Sequence, residues 1–117
     1  MSKIPSNVIP IRFDEIPDRW IVVKIVQSGE TLHKVLCGWI GGYLEADRWK
    51  INSGIEKVTQ DDDYFYFHGY SGSVYKCNKK NYGLTNASAP IFEAMQKHHM
   101  VVTEQLPSDY DFMSLNK

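Results

Sequence analysis

The chain has 117 residues, with 13 basic and 14 acidic side chains and a formal net charge of -1. That length supports one modest core. The charge balance disfavours a dedicated duplex-binding protein, whose affinity would come from an excess of Lys and Arg. With 43% hydrophobic and 23% charged residues the composition is that of a folded protein. There is no run of about 18 apolar residues to cross a membrane, and Met1-Ser2-Lys3-Ile4-Pro5 lacks the apolar core of a signal peptide. The two cysteines, Cys37 and Cys77, fit a reducing compartment. The expected location is cytoplasmic.

Residues 1–19 read as an extended N-terminal arm. Pro5, Pro10 and Pro17 exclude a long helix. Ile4, Val8, Ile9, Ile11, Phe13 and Ile16 are too apolar for a solvated leader, so the arm lies along its own domain or along a partner. Residues 20–106 read as a single α+β domain. Trp20 to Gln27 is a β-branched run and the first strand. Ser28-Gly29-Glu30 turns the chain into a second strand, Thr31 to Ile40. Gly38, Gly41 and Gly42 near its end suggest a bulge or bend.

Arg48 to Gln60 is a third strand, interrupted by Asn52-Ser53-Gly54. Asp61-Asp62-Asp63 is an acidic turn. Tyr64 to Tyr70 and Ser73 to Asn78 form a fourth and fifth strand joined by a glycine-rich hairpin. If Ser71-Gly72 is a two-residue turn, Tyr64, Tyr66, His68 and Tyr70 share a face with Ser73, Tyr75 and Cys77, while Phe65, Phe67 and Val74 face the core. After a polar loop, Ser88 can cap a helix from Ala89 to about His99 or Met100. Its Ile91, Met95, His98 and Val102 repeat at near-helical spacing, with Phe92 beside them. Phe67 is expected beneath that helix. Val101-Val102-Thr103 is β-prone, and residues 107–117 read as a C-terminal tail. Together these elements predict a curved, barrel-like five-stranded antiparallel meander covered by one C-terminal helix.

No reaction is legible. Gly69-Tyr70-Ser71-Gly72-Ser73 approaches a nucleophile elbow but joins strand to strand and ends in Ser. Gly38-Trp39-Ile40-Gly41-Gly42 lacks the Lys-Ser/Thr of a phosphate loop. Asp61-Asp62-Asp63 lacks the alternating ligands of a calcium loop. His33, Cys37, His68, Cys77, His98 and His99 show no metal-ligand spacing. No cofactor or metal is expected.

The tyrosine face is the chemistry-bearing surface. Tyr64, Tyr66, His68, Tyr70 and Tyr75 are the candidate binding residues, since aromatic β-surfaces serve protein interfaces. They also stack bases in single-strand binders, but Lys76, Lys79 and Lys80 against Asp61, Asp62 and Asp63 make a poor electrostatic funnel.

Trp49-Lys50-Ile51-Asn52-Ser53-Gly54-Ile55, followed by His68-Gly69-Tyr70-Ser71-Gly72-Ser73-Val74-Tyr75-Lys76-Cys77, resembles a set of small bacterial proteins, some prophage-borne, with no assigned activity. The likeness covers the middle third of the chain. It implies an accessory or inhibitor protein of a mobile element. The expectation is therefore a non-enzymatic module engaging a protein partner through the aromatic hairpin. The alternative is a small-ligand or single-stranded nucleic-acid binder on the same face.

Overall fold

The computed structural model describes residues 13–41 and 46–116. Most of the arm and Gly42 lie outside these residues.

The strands form two antiparallel sheets. β1 (Arg19–Gln27), β2 (Glu30–Trp39), β3 (Arg48–Ile51) and β7 (Val102–Gln105) make a four-stranded sheet in the order β3-β2-β1-β7. β4 (Ile55–Gln60), β5 (Tyr64–Gly69) and β6 (Val74–Asn78) make a three-stranded sheet in the order β4-β5-β6. The chain is therefore α+β, but the single five-stranded, barrel-like meander is corrected to two stacked sheets.

The division falls at Asn52-Ser53-Gly54. Instead of kinking one long strand, this triplet carries the chain from one sheet to the other. Gly54 adopts φ +138°, which favours glycine. The Val101-Val102-Thr103 segment supplies the first two residues of β7, which closes onto β1 in the register Ile25 opposite Thr103.

The two sheets enclose the main core. Trp20, Val22, Val35 and Cys37 face Ile55, Val58, Phe67, Tyr75 and Cys77, with Leu106 and Phe112 completing the cluster. Trp20 is its hub: its ring centroid lies 5.3 Å from Phe67, 4.7 Å from Tyr82 and 5.4 Å from Phe112. Phe112 opens a short 3-10 turn, Phe112–Leu115, within the segment read as a tail, and it is buried. Asn116 then pins the β4 edge. It accepts from the Val58 N–H at 2.8 Å and donates to the Val58 carbonyl at 2.7 Å.

A single α-helix among the described residues, α1 (Ala89–Gln96), covers the opposite face of the four-stranded sheet. There Ile91, Phe92 and Met95 pack on Ile21, Val23 and Leu36. Phe67 is accordingly buried under Trp20 and Phe112, not under the helix. The helix is shorter than its apolar repeat suggests, and Ser88 makes no side-chain cap. Its hydroxyl accepts from the Thr85 N–H at 2.8 Å while Thr85 Oγ1 accepts from the Ser88 N–H at 3.1 Å. This reciprocal pair has the form of a capping box one turn earlier. It also explains Gly38, which lies in regular β2 pairing opposite Arg19 and Trp49 rather than in a bulge. Any Cβ at Gly38 would run into the Thr85 side chain.

The described end of the arm lies on its own domain. Asp14 exchanges hydrogen bonds with Val74, its N–H donating to the carbonyl and its carboxylate accepting from the N–H, each at 2.8 Å. The Asp18 N–H reaches the Gly38 carbonyl at 3.0 Å, and the Trp39 indole donates to the Ile16 carbonyl at 2.8 Å. The segment thus spans from the edge of β6 to the end of β2.

Candidate functional site

The β5–β6 hairpin is one residue out of the expected register. Its loop has three residues, Tyr70 to Gly72, with Gly72 at φ +96°. The Gly69 N–H donates to the Ser73 carbonyl at 2.8 Å. Phe65 therefore opposes Cys77, and Phe67 opposes Tyr75. In a pleated strand a one-residue shift moves every side chain to the other face. Tyr75 and Cys77 thus turn into the core, and Val74 joins His68 on the outer face, where the arm's Asp14 pairs with its backbone.

The five candidate residues consequently separate. Tyr75 is buried at 4% exposure, and its hydroxyl pKa is pushed up to about 12, first by burial and then by Cys37, Glu15, Asp14 and Cys77 nearby. Tyr66 is also buried, and its hydroxyl donates to Asp61 Oδ2 at 2.7 Å. Burial and this carboxylate raise the Tyr66 pKa to about 12. The same bond holds the Asp61 carboxyl below its ordinary value. Tyr64 is half-buried, with Lys76 Nζ 4.4 Å from its ring centroid and 4.9 Å from that of Phe13. His68 bonds Thr59 Oγ1 at 3.0 Å, and burial followed by Lys57 lowers its pKa. The outer face of the three-stranded sheet therefore has most of its polar and aromatic groups engaged internally. Tyr70 differs. It stands at the hairpin tip, 62% exposed.

Tyr70 overlooks a trough on the helix-bearing face of the four-stranded sheet. The floor is a row of cross-strand partners: Leu32 opposes Ile25, and Ile25 opposes Thr103. Two cavities meet at Ile25. One, of about 590 Å³, is lined by Ile25, Gln27, Ser28, Glu30, Thr31, Leu32 and Tyr70. The other, of about 320 Å³, lies against α1 and is lined by Ile25, Ile91, Ala94, Met95, His98, Val101 and Thr103. A third, of about 280 Å³, continues around Tyr70 past His33, Ile55, Glu56 and Leu115.

Local chemistry shapes both ends of the trough. Ser28 and Gly29 have φ of 53° and 79°, the two left-handed residues of a tight hairpin turn that ends β1 and β2 beside the cavity. Gly54 lets the Tyr70 ring approach, because a Cβ there would sit 2.9 Å from Tyr70 Cδ2 and 2.8 Å from Leu32 Cδ1. At the opposite end α1 stops at Gln96 and leaves Met95 and His98 over the floor.

Of the expected site residues the trough includes Tyr70 alone. Ile25, Leu32 and Thr103 read as ordinary strand positions in the sequence. The helical repeat through Ile91, Met95 and His98 was the available signal for the far wall. Among the described residues no group of three or more His, Cys, Asp or Glu could hold a metal ion. His98 and His99 are both exposed and stack with ring centroids 5.7 Å apart. No described helix is long and apolar enough to cross a membrane.

Comparison with protein-family models, with curated proteins and with solved structures finds no match to this chain.

Proposed function

We propose that the chain is a non-enzymatic binding module that engages a protein partner in the trough between Tyr70 and α1. The observation that carries this reading is the row Leu32–Ile25–Thr103, two apolar side chains and a buried threonine, lying between two walls and flanked by an exposed tyrosine. Three adjacent strands make a floor roughly 10 Å across, wide enough for apolar side chains of a partner. Tyrosine is a favoured anchor at such surfaces, because it contributes rigid area and a polar tip. The accessory or inhibitor role implied by the resemblance fits a small module that covers part of a larger partner.

The test compares capture of partners from the native host by the wild type, Tyr70→Ala, Ile25→Thr and Tyr64→Ala, with a melting temperature for each. Ile25→Thr keeps a β-branched residue in the strand while making the floor polar. The reading expects a specific partner to be lost from the Tyr70 and Ile25 variants at little cost in stability and retained by Tyr64→Ala. Loss confined to Tyr64→Ala moves the surface to the outer face of the three-stranded sheet. Retention by all three variants rejects the trough.

A further inference from the structure

Cys37 and Cys77 lie 40 positions apart in the chain and come from different sheets, Cys37 from β2 and Cys77 from β6. Both are fully buried at 0% exposure and belong to the same inter-sheet core. Two ladders and one ring contact bring them together. Cys37 is the cross-strand partner of Trp20, Cys77 is the cross-strand partner of Phe65, and the Trp20 and Phe65 rings meet edge-on at 6.0 Å. Both side chains point into this one core, and the Cys37 thiol is near enough to Cys77 to raise its pKa. Nothing in their sequence spacing brings them together; the one-residue register of the β5–β6 hairpin does, because it turns Cys77 inward.

We propose that Cys37 and Cys77 are a covalent modification site, which a disulfide oxidant such as oxidised glutathione converts into an inter-sheet disulfide joining β2 to β6. One protein thiolate attacks the glutathione disulfide, forming a mixed disulfide and releasing one glutathione thiolate. The second protein thiolate attacks the protein sulfur of that mixed disulfide and releases the other. The two cysteines give up two electrons and two protons, and two glutathione thiols are formed. Both thiols are closed off from solvent, so the first attack requires transient opening of the sheets. Burial, followed by the neighbouring Cys37 thiol, also holds the Cys77 thiol protonated well above its ordinary range, which slows the reaction further. The site is therefore slow to react and, once oxidised, slow to reduce. It is independent of the trough, which lies on the opposite face of the four-stranded sheet.

The test equilibrates the full chain with mixtures of reduced and oxidised glutathione, in buffer and in denaturing urea, starting from both the reduced and the oxidised protein. The buffer samples are first passed briefly through urea so that burial does not block equilibrium. Intact mass under non-reducing conditions counts the loss of two hydrogens. A disulfide compatible with the fold is favoured in the folded chain over the unfolded one by roughly 30- to 1000-fold, and raises the melting temperature by roughly 10 °C or more. Cys77→Ala should yield no intramolecular disulfide, only a glutathione adduct. An equilibrium constant equal to or smaller than that in urea, or an oxidised protein that melts no higher than the reduced one, overturns the proposal. Both of those measurements use the wild type, so they hold whether or not the alanine variant folds.

Discussion

Asn52 serves as a strand residue for Val35 beyond the end of the β3 ladder. Its backbone N–H donates to the Val35 carbonyl at 3.2 Å, and its side-chain Oδ1 accepts from the Val35 N–H at 2.9 Å. One side chain thus satisfies β2 at the point where the partner strand leaves for the other sheet. Asn52 is itself buried at 4% exposure, so the bonds are shielded from water. Asn52→Ala would leave the buried Val35 N–H without its acceptor, which should cost about 1–3 kcal/mol. Urea denaturation measures this, and a loss well below that range would mean water or another side chain substitutes for Oδ1.

Phe67 and Phe112 meet in the inter-sheet core at a centroid distance of 6.1 Å, 45 residues apart in the chain. Each alanine substitution should destabilise by about 3–5 kcal/mol, the usual range for a buried aromatic. The Phe112 result is the more discriminating. A loss under about 1 kcal/mol there would restore the reading of residues 107–117 as a detachable tail.

Tyr70 and Tyr75 should respond in opposite ways. Tyr70 is largely exposed, so Tyr70→Ala should shift stability by about 0.5 kcal/mol or less. Tyr75 faces Phe67 across the hairpin ladder in the core, so Tyr75→Ala should be severely destabilising. Equal sensitivity of the two would place the hairpin in the other register. Parallel urea titrations of both variants decide it.

Stability should fall in alkali over a defined window. Tyr66 and Tyr75 ionise at about 12 in the folded chain, against an ordinary value of 10.0. Above pH 10 the unfolded chain therefore loses protons that the folded chain still holds, and this favours unfolding. The contribution is fully present below pH 10 and is lost as the pH rises towards 12. Denaturation midpoints measured from pH 9 to 12 should decline, and Tyr66→Phe should reduce the slope. Asp61 has the opposite sign: its carboxyl is held low by the Tyr66 hydroxyl, so its contribution is present above pH 3.8 and is lost on further acidification.

Gly38→Ala probes the packing of the helix entry on β2. The new methyl would collide with Thr85, which is tied to Ser88 at the start of α1. The expected cost is about 1–3 kcal/mol, typical of overpacking. Adding Thr85→Ala should recover part of it in the same denaturation assay, because two of the three closest atoms belong to the hydroxyl and methyl of Thr85.

Local chemistry alone determined much of this protein. Alternating apolar runs marked the strands from Trp20 to Asn78, and Ser28-Gly29 marked a turn that needs left-handed backbone. The repeat of Ile91 and Met95 identified the helix face that packs on a sheet. These signals depend on neighbours within a few residues, so the sequence contains them directly. Tertiary structure decided the rest. Whether Asn52-Ser53-Gly54 bends one strand or separates two sheets depends on its bonds to Val35, 17 residues away. The hairpin register depended on one residue of loop length, and that residue moved Tyr75 and Cys77 from the expected binding face into the core. The trough joins Leu32, Ile25, Tyr70, Met95 and Thr103, which no spacing relates. They converge only because β7 returns to pair with β1 and the glycine at position 54 leaves room for an aromatic ring beside it.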